Sequence, residues 1–367
     1  MIHGNEVLSC GKEFWIVAKT VRVGLIGYGY AGRTFHAPVL TCVPNMHLAK
    51  VVERRGTSSK ERYPWVDVVR DAQELCQDKT IDLVIVATPS TNHYEVTKQA
   101  LLSGKHVIVE KPFTVTAAEA DELIALARER QLVLSVFHNR RWDGDFMTVR
   151  EVVRQQLLGK LVECEFRWDR YRPVVDPAGW REWNAPGTGV LYDLGVHFLD
   201  QALNLFGVPS TIEAEVRIQR EGGLTDDYFD VTLRYEQGLK CVLKSSKLVR
   251  EPGPRYVLHG TRGSFIKYGI DPQEAALAGG LTPASPRWGE EPEEWWGTLH
   301  ATIQGLDYVG RIRTLPGSYT SYFQNVYDCI VHQADLAVKP EEARNAIRLI
   351  ELALQSSREQ RAVQVTL

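Results

Sequence analysis

The sequence predicts an α/β protein: an N-terminal doubly wound parallel sheet, then a C-terminal α/β domain with a large, mostly antiparallel open sheet. Three observations carry this. Short bursts rich in Val, Ile and Leu alternate with helical patterns over roughly the first 140 residues, as in sheets covered on both faces. A glycine-rich turn follows the first full burst. Past Trp142 the hydrophobic period falls to two.

In chain order, residues 1–20 hold one short apolar patch, Phe14–Ala18, with no basic leader and no long hydrophobic region. They read as a disordered N-terminal extension and not as a secretory signal. Residues 21–142 form the first domain, with strands expected at Val21–Gly27, Leu48–Val52, Val66–Val69, Ile81–Thr88, His106–Val109 and Leu132–Phe137. Between them, His93–Ser103 reads as a helix stopped by Gly104, and Thr116-Ala117-Ala118-Glu119 has the spacing of a capping box. Residues 143–367 form the second domain. There Val162, Cys164, Phe166 and Trp168 alternate with Glu163, Glu165, Arg167 and Asp169. Ile212–Gln219 and Phe229–Tyr235 repeat the pattern, and helices at Phe146–Leu158 and Glu341–Ser357 should cover the apolar face. Residues 279–298 read as an irregular loop.

Composition narrows the function. The chain has 367 residues, 44% hydrophobic and 24% charged, with a net charge of −3. That balance offers no basic footprint for nucleic acid and no polybasic membrane anchor. No apolar run reaches the length of a membrane span. The cysteines, Cys10, Cys42, Cys76, Cys164, Cys241 and Cys329, are scattered, as are the histidines. This reads as free thiols in a reducing, cytoplasmic compartment, with no metal site.

The strongest local signal is Gly27-Tyr28-Gly29-Tyr30-Ala31-Gly32, which follows a strand and opens a helix. In that setting it is a Rossmann phosphate-binding turn: Gly27 for the tight turn, Gly29 for approach of the pyrophosphate, Gly32 for helix–strand packing. Glu53 stands 21 residues past Gly32, where an acid would accept the ribose hydroxyls of NAD. Arg54 and Arg55, next in sequence, suit the 2′-phosphate of NADP instead, and the residues leave both readings open. Thr88, Pro89, Asn92 and His93, and then Glu110 and Lys111, stand where parallel strands end, which is where ligands bind in such sheets. Lys111 there would donate to a substrate oxygen. Asp193 and His197 are four apart and share a helix face, so the carboxylate would orient the imidazole as a general base; Asp200, three further on, offers a second partner.

Together these residues resemble the Gfo/Idh/MocA family of glucose–fructose oxidoreductases and inositol dehydrogenases, from Val21 to near the C-terminus. The glycine turn, Glu110-Lys111-Pro112, and Asp193 with His197 carry the resemblance. Ser135–Asp143, Arg170-Tyr171-Arg172-Pro173, and Ser264–Asp271 with Gln273-Glu274 look similar to its NADP-dependent scyllo-inositol dehydrogenases. The resemblance implies a catalytic set of Lys111, Asp193 and His197, with Asn139 and Arg140 bordering the nicotinamide. It also implies a second sheet that serves as a subunit interface, hence a homo-oligomer, dimer or tetramer. Residues 1–20 match nothing in the family, and Glu53 departs from the small polar residues of the NADP-dependent relatives.

The expected activity is therefore hydride transfer between NADP, or NAD, and a ring hydroxyl or ketone of a cyclic polyol such as scyllo-inositol. Arg170, Tyr171 and Arg172 would contact its other hydroxyls. The rivals are an oxidoreductase acting on an aldose, anhydro-sugar or other carbonyl, and a non-catalytic dinucleotide sensor. Lys111, Asp193 and His197 together argue against the sensor.

Overall fold

The computed structural model describes residues 19–176, 179 and 182–367. The expected extension lies outside them up to residue 18. The first sheet contains β1 (Val21–Ile26), β2 (Met46–Val52), β3 (Asp67–Val69), β4 (Leu83–Val86), β5 (His106–Val109) and β6 (Leu134–Val136), in the order β3-β2-β1-β4-β5-β6. Every pairing is parallel. All four residues of β4 are buried, as a strand covered on both faces requires. Strand order reverses between β1 and β4, and the reversal opens a crevice at the carboxyl ends of the strands.

The helix Ala117–Glu129 begins with the expected capping box: Thr116 accepts from the Glu119 N–H while Glu119 reaches back to Thr116. The helix His93–Leu102 ends just before Gly104, whose φ of +74° stops it.

The second sheet contains β7 (Leu161–Arg167), β8 (Thr211–Arg217), β9 (Tyr228–Arg234), β10 (Lys240–Ser246), β11 (Tyr256–Gly260), β12 (Gly263–Lys267), β13 (Gly297–Ile303), β14 (Leu306–Ile312) and β15 (Val363–Gln364). Their order is β14-β13-β12-β11-β7-β10-β9-β8-β15. In this sheet, among the described strands, only β7 and β10 pair in parallel. Cys164, Phe166, Trp168, Phe229, Val231, Leu233 and Tyr235 are buried, as the alternation predicts. Val162 and Ile218 are the exceptions. They share the apolar register but are exposed: Val162 is near the start of β7, and Ile218 lies just past the end of β8. The predicted covering helices span Gly144–Arg154 and Pro340–Glu359. The loop expected at 279–298 is broken by a short turn at Glu293–Trp295 and gives way to β13 at Gly297.

Beyond Ile212, β8 loses its partner β15, and two serines take over. The N–H groups of Ala214 and Val216 donate to the hydroxyls of Ser356 and Ser357, on the helix Pro340–Glu359. That pairing satisfies an edge that would otherwise be bare. No helix among the described residues is long and apolar enough to cross a membrane.

Candidate active site

The glycine turn lies at the reversal point. Gly27 has a φ of +103°, and a Cβ there would meet the Ala87 carbonyl oxygen at 2.6 Å. A Cβ on Gly32 would run into the Gly27 carbonyl, so this helix and turn pack only without a side chain. Gly29 differs: nothing lies within 4 Å of its missing Cβ, and its open side faces a crevice of about 390 Å³. Tyr28, Glu53, Arg54, Arg55, Thr88 and Pro89 also line that crevice. A turn of bare backbone at the start of the helical segment Gly32–His36 fits a dinucleotide pyrophosphate.

Glu53 lines that crevice, but its carboxylate oxygens are already engaged within the protein. Its carboxylate is buried and accepts four hydrogen bonds, from the N–H and hydroxyl of Ser58 and of Ser59. Burial alone would push its pKa up; the four donors outweigh burial and hold it below the usual glutamate value. The Ser58-Ser59 pair, at the start of the short helix Ser59–Arg62, supplies the reason for the inward turn. Arg54 and Arg55 stay exposed, and no ion pair among the described residues engages them.

A second, larger cleft of about 480 Å³ opens between the carboxyl end of β5 and the second sheet. Lys111 reaches into it just beyond β5. Its ammonium donates to the carbonyl oxygen of Asp193 at 2.7 Å and to its carboxylate at 2.9 Å. His197 lines the cleft from the helix Val196–Phe206. Burial, reinforced by the positive charges of Lys111 and Arg140, then by His138 and Arg255, holds its imidazole well below the ordinary histidine pKa. At neutral pH it is an uncharged base. Trp168 forms part of the wall, with the guanidiniums of Arg255, Arg140 and Arg170 at 4.1, 4.5 and 5.2 Å from its ring centre.

The expected Asp193–His197 hydrogen bond is not formed. Nδ1 of His197 is buried without a partner in the protein. The chain between the two residues explains this: Leu191–Gly195 is a wide π-helical turn, so Asp193 leaves the row that holds His197 and turns toward Lys111. Asp200, the other candidate partner, is taken by Arg141, whose Nε donates to it at 2.8 Å.

The remaining predicted residues divide. Glu110 is buried and accepts from His36 at 2.8 Å and from the Lys111 N–H at 3.1 Å, which fixes the turn carrying Lys111. His93 turns its ring nitrogens to the carbonyls of Pro112, 2.7 Å away, and Thr88, 3.0 Å away, so it braces two loops from behind instead of facing a ligand. Asn92 is exposed at the start of that helix. Tyr30 and Ala31 line the large cleft, not the crevice at Gly29. Asn139 and Arg140 sit in the turn Asn139–Trp142, and Arg140 is fixed by Asp143 and Glu274. Arg170 and Arg172 line the cleft; Tyr171, 44% exposed, packs instead beneath Arg250. An extended backbone sends neighbouring side chains to opposite sides, which separates Tyr171 from the two arginines.

Sequence reasoning gave no role to Glu274, which accepts from both Tyr30 and Arg140 at the cleft, or to Glu182, which binds Arg220 and Lys247 on its far wall. Glu274 stood inside a stretch that looked familiar; nothing in the sequence pointed to Glu182. Among the described residues no group of histidines, cysteines or carboxylates could hold a metal ion.

Comparison with known proteins places this geometry. The Gfo/Idh/MocA family model described as an NAD-binding Rossmann fold matches residues 21–138, and the C-terminal alpha/beta domain of the same oxidoreductase family matches residues 150–366. Scyllo-inositol 2-dehydrogenase (NADP(+)) IolW of Bacillus subtilis is 43% identical over 347 residues, 94% of this chain and 96% of that protein. The uncharacterized oxidoreductase YdgJ of Escherichia coli is 40% identical over 343 residues, 93% of this chain and 98% of its own. The solved structure of yvaA from Bacillus subtilis superposes with a TM-score of 0.92 at 41% identity, covering 95% of this chain and 99% of that one.

Proposed function

The chain belongs to the Gfo/Idh/MocA oxidoreductase family and carries its NAD-binding Rossmann domain, and from that premise we propose that it oxidises a ring hydroxyl of a cyclic polyol of the scyllo-inositol type, or reduces the matching ketone, with NADP. The observation that carries the chemistry is the cleft itself: an uncharged, buried imidazole and an anchored ammonium line the same cavity at the carboxyl edge of the parallel sheet. Similarity to IolW supports the substrate class and the cofactor.

The bound nicotinamide supplies the hydride acceptor or donor. His197 takes the proton of the reacting hydroxyl. Lys111 donates to the same oxygen and steadies the charge that develops on it. Asp193 holds Lys111 in place, so it acts through the ammonium and not through the imidazole. Arg170 and Arg172 would contact the other hydroxyls. The turn at Gly29 would take the pyrophosphate, Arg54 and Arg55 the 2′-phosphate, and Asn139 and Arg140 would border the nicotinamide. With Glu53 committed to Ser58 and Ser59, its carboxylate stays ionised, but both oxygens are turned to those four donors and not offered to that phosphate.

Following nicotinamide absorbance with NAD and NADP across inositol isomers and aldoses tests this. The expected result is the highest kcat/KM with NADP and scyllo-inositol or its ketone; turnover confined to an aldose would transfer the reading to a sugar dehydrogenase. The polar face of the second sheet, with Glu163, Glu165, Arg167, Glu213, Glu215 and Arg217, is proposed to meet another subunit. A monomeric mass at micromolar concentration would refute that.

A further inference from the structure

Behind His197 stands a second histidine. His138 lies between β6 and the turn Asn139–Trp142 and is only 1% exposed. Neither of its ring nitrogens has a hydrogen-bond partner in the protein, and neither does Nδ1 of His197. The two ring centres are 6.2 Å apart and the planes nearly perpendicular, at 82°. On its other side, Nδ1 of His138 is 3.9 Å from the Asp200 carboxylate, which Arg141 holds in two-point contact. Buried polar atoms are rarely left unsatisfied, and enclosed waters most often serve them. Ring centres 6.2 Å apart hold the nitrogens of the two rings at least roughly 4 Å from one another, too far for a direct hydrogen bond and within the reach of one bridging water.

We propose that His138 is the positioning residue of His197: an enclosed water joins Nδ1–H of His197 to Nε2 of His138, and Asp200 draws Nδ1–H of His138 from behind. The hydrogen bond made by one ring nitrogen sets the protonation of the other. His197 is thereby held as the tautomer whose bare Nε2 faces the cleft. In the oxidation direction that nitrogen takes the hydroxyl proton and the ring becomes imidazolium; Nδ1–H stays bonded to the water, and no further proton moves. This assigns to His138 and Asp200 the orienting role that the spacing of Asp193 and His197 suggested. The inference rests on His197 being the base.

The charged and titratable groups around the pair are few. His138 faces Asp200 and His197 from the helix Val196–Phe206, Glu110 and Lys111 from the end of β5, and Arg141 from its own turn. His197 faces Lys111, Arg140, His138 and Arg255. Of these four, Lys111, Arg140 and Arg255 carry no acceptor for the Nδ1–H of His197, and His138 does.

The test uses the full chain labelled with 15N-histidine, as wild type, His138→Leu, His138→Gln and His197→Ala. In wild type, His197 should be a single Nδ1–H tautomer. In His138→Leu it should become a mixture. The kcat/KM plateau should fall on the order of tenfold, the scale of losing a partner behind a functional imidazole. Burial lowers the His138 pKa, so at the limb it is uncharged and acts on His197 as an acceptor and not as a repelling cation; with that acceptor gone the acid limb should move to lower pH, and dinucleotide Kd should not change. His138→Gln, which keeps an acceptor, should restore most of both. A wild-type His197 protonated at Nε2 overturns the proposal whether or not any variant folds. So does a His138→Leu protein with unaltered tautomer and acid limb, even if its plateau falls. His197→Ala separates the two readings: if it keeps turnover, the base assignment has failed, whereas an inactive His197→Ala beside an unaffected His138→Leu removes only the positioning role.

Discussion

The crevice at Gly29 and the cleft at His197 solve the same problem, holding a polar ligand at a sheet edge, with different materials. The crevice depends on backbone: a turn whose glycines admit close packing at Gly27 and Gly32 and leave open space at Gly29. The cleft depends on side chains, drawn from both sheets and fixed by one another, Lys111 by Asp193, Arg140 by Glu274 and Asp143, Arg220 by Glu182. A backbone site changes little when one side chain is altered outside the turn. A side-chain site propagates each change to the partner left behind.

The largest effect should follow removal of the base. His197→Ala is expected to lower kcat by about 10²–10⁴-fold while dinucleotide Kd stays near wild type, because the imidazole belongs to the cleft and not the crevice. Stopped-flow turnover and fluorescence titration check the two halves. The pH profile sharpens this. Burial and neighbouring cations depress the His197 pKa, so the base stays uncharged down to below the ordinary histidine value. The acid limb of kcat/KM should therefore fall below pH ~6.5. A limb above it would contradict the electrostatics of the cleft.

Next comes the ammonium. Lys111→Ala should cost on the order of 10²-fold in kcat through loss of charge stabilisation. Asp193→Asn should cost less, and Lys111→Ala with Asp193→Asn should be no worse than Lys111→Ala alone, since the carboxylate acts through the ammonium. If Asp193→Asn were instead non-additive with His197→Ala and additive with Lys111→Ala, the working enzyme would use a different pairing from the one described.

On the crevice side, Gly29→Val should weaken dinucleotide binding at least tenfold, roughly 1.4 kcal/mol, with the melting temperature nearly unchanged, because the space beside Gly29 is empty of protein. Unchanged calorimetric binding would break the comparison between the two sites. The smallest effect is cofactor choice. Arg54→Ala with Arg55→Ala should raise the KM for NADP about tenfold and leave that for NAD alone, since exposed guanidiniums add modestly to phosphate binding. Equal effects on both cofactors would assign the arginines elsewhere.

Legibility in the sequence follows the same division. The glycine turn, the capping box at Thr116 and the alternation of β9 are local patterns set by backbone geometry, and residue order alone exposes them. Lys111 and His197 were legible as well, because each sits at a conspicuous place in its element. Their partners were not. Four-residue spacing predicts a shared face only on a regular α-helix, and Leu191–Gly195 is wound wider. Glu53 stood at the right offset for a ribose, yet Ser58 and Ser59, five and six residues on, claimed it. His138 meets His197 only after the chain has crossed from one sheet to the other, and no local spacing encodes that contact.

The helix Pro340–Glu359 reaches back across the molecule to the outer helix of the parallel sheet. Glu351 accepts from the Ala117 N–H at 2.8 Å, Arg344 pairs with Asp121 at 2.9 Å, and Glu341 pairs with Arg128 at 2.8 Å. The parallel sheet and its glycine turn leave the ribosome long before this helix does. Until it arrives, the Ala117 N–H in the first turn of Ala117–Glu129 lacks its Glu351 acceptor. The last helix therefore completes contacts that the first domain cannot make by itself. In hydrogen exchange the amides of Ala117–Glu129 should therefore open together with those of Pro340–Glu359, although more than 200 residues separate the two segments.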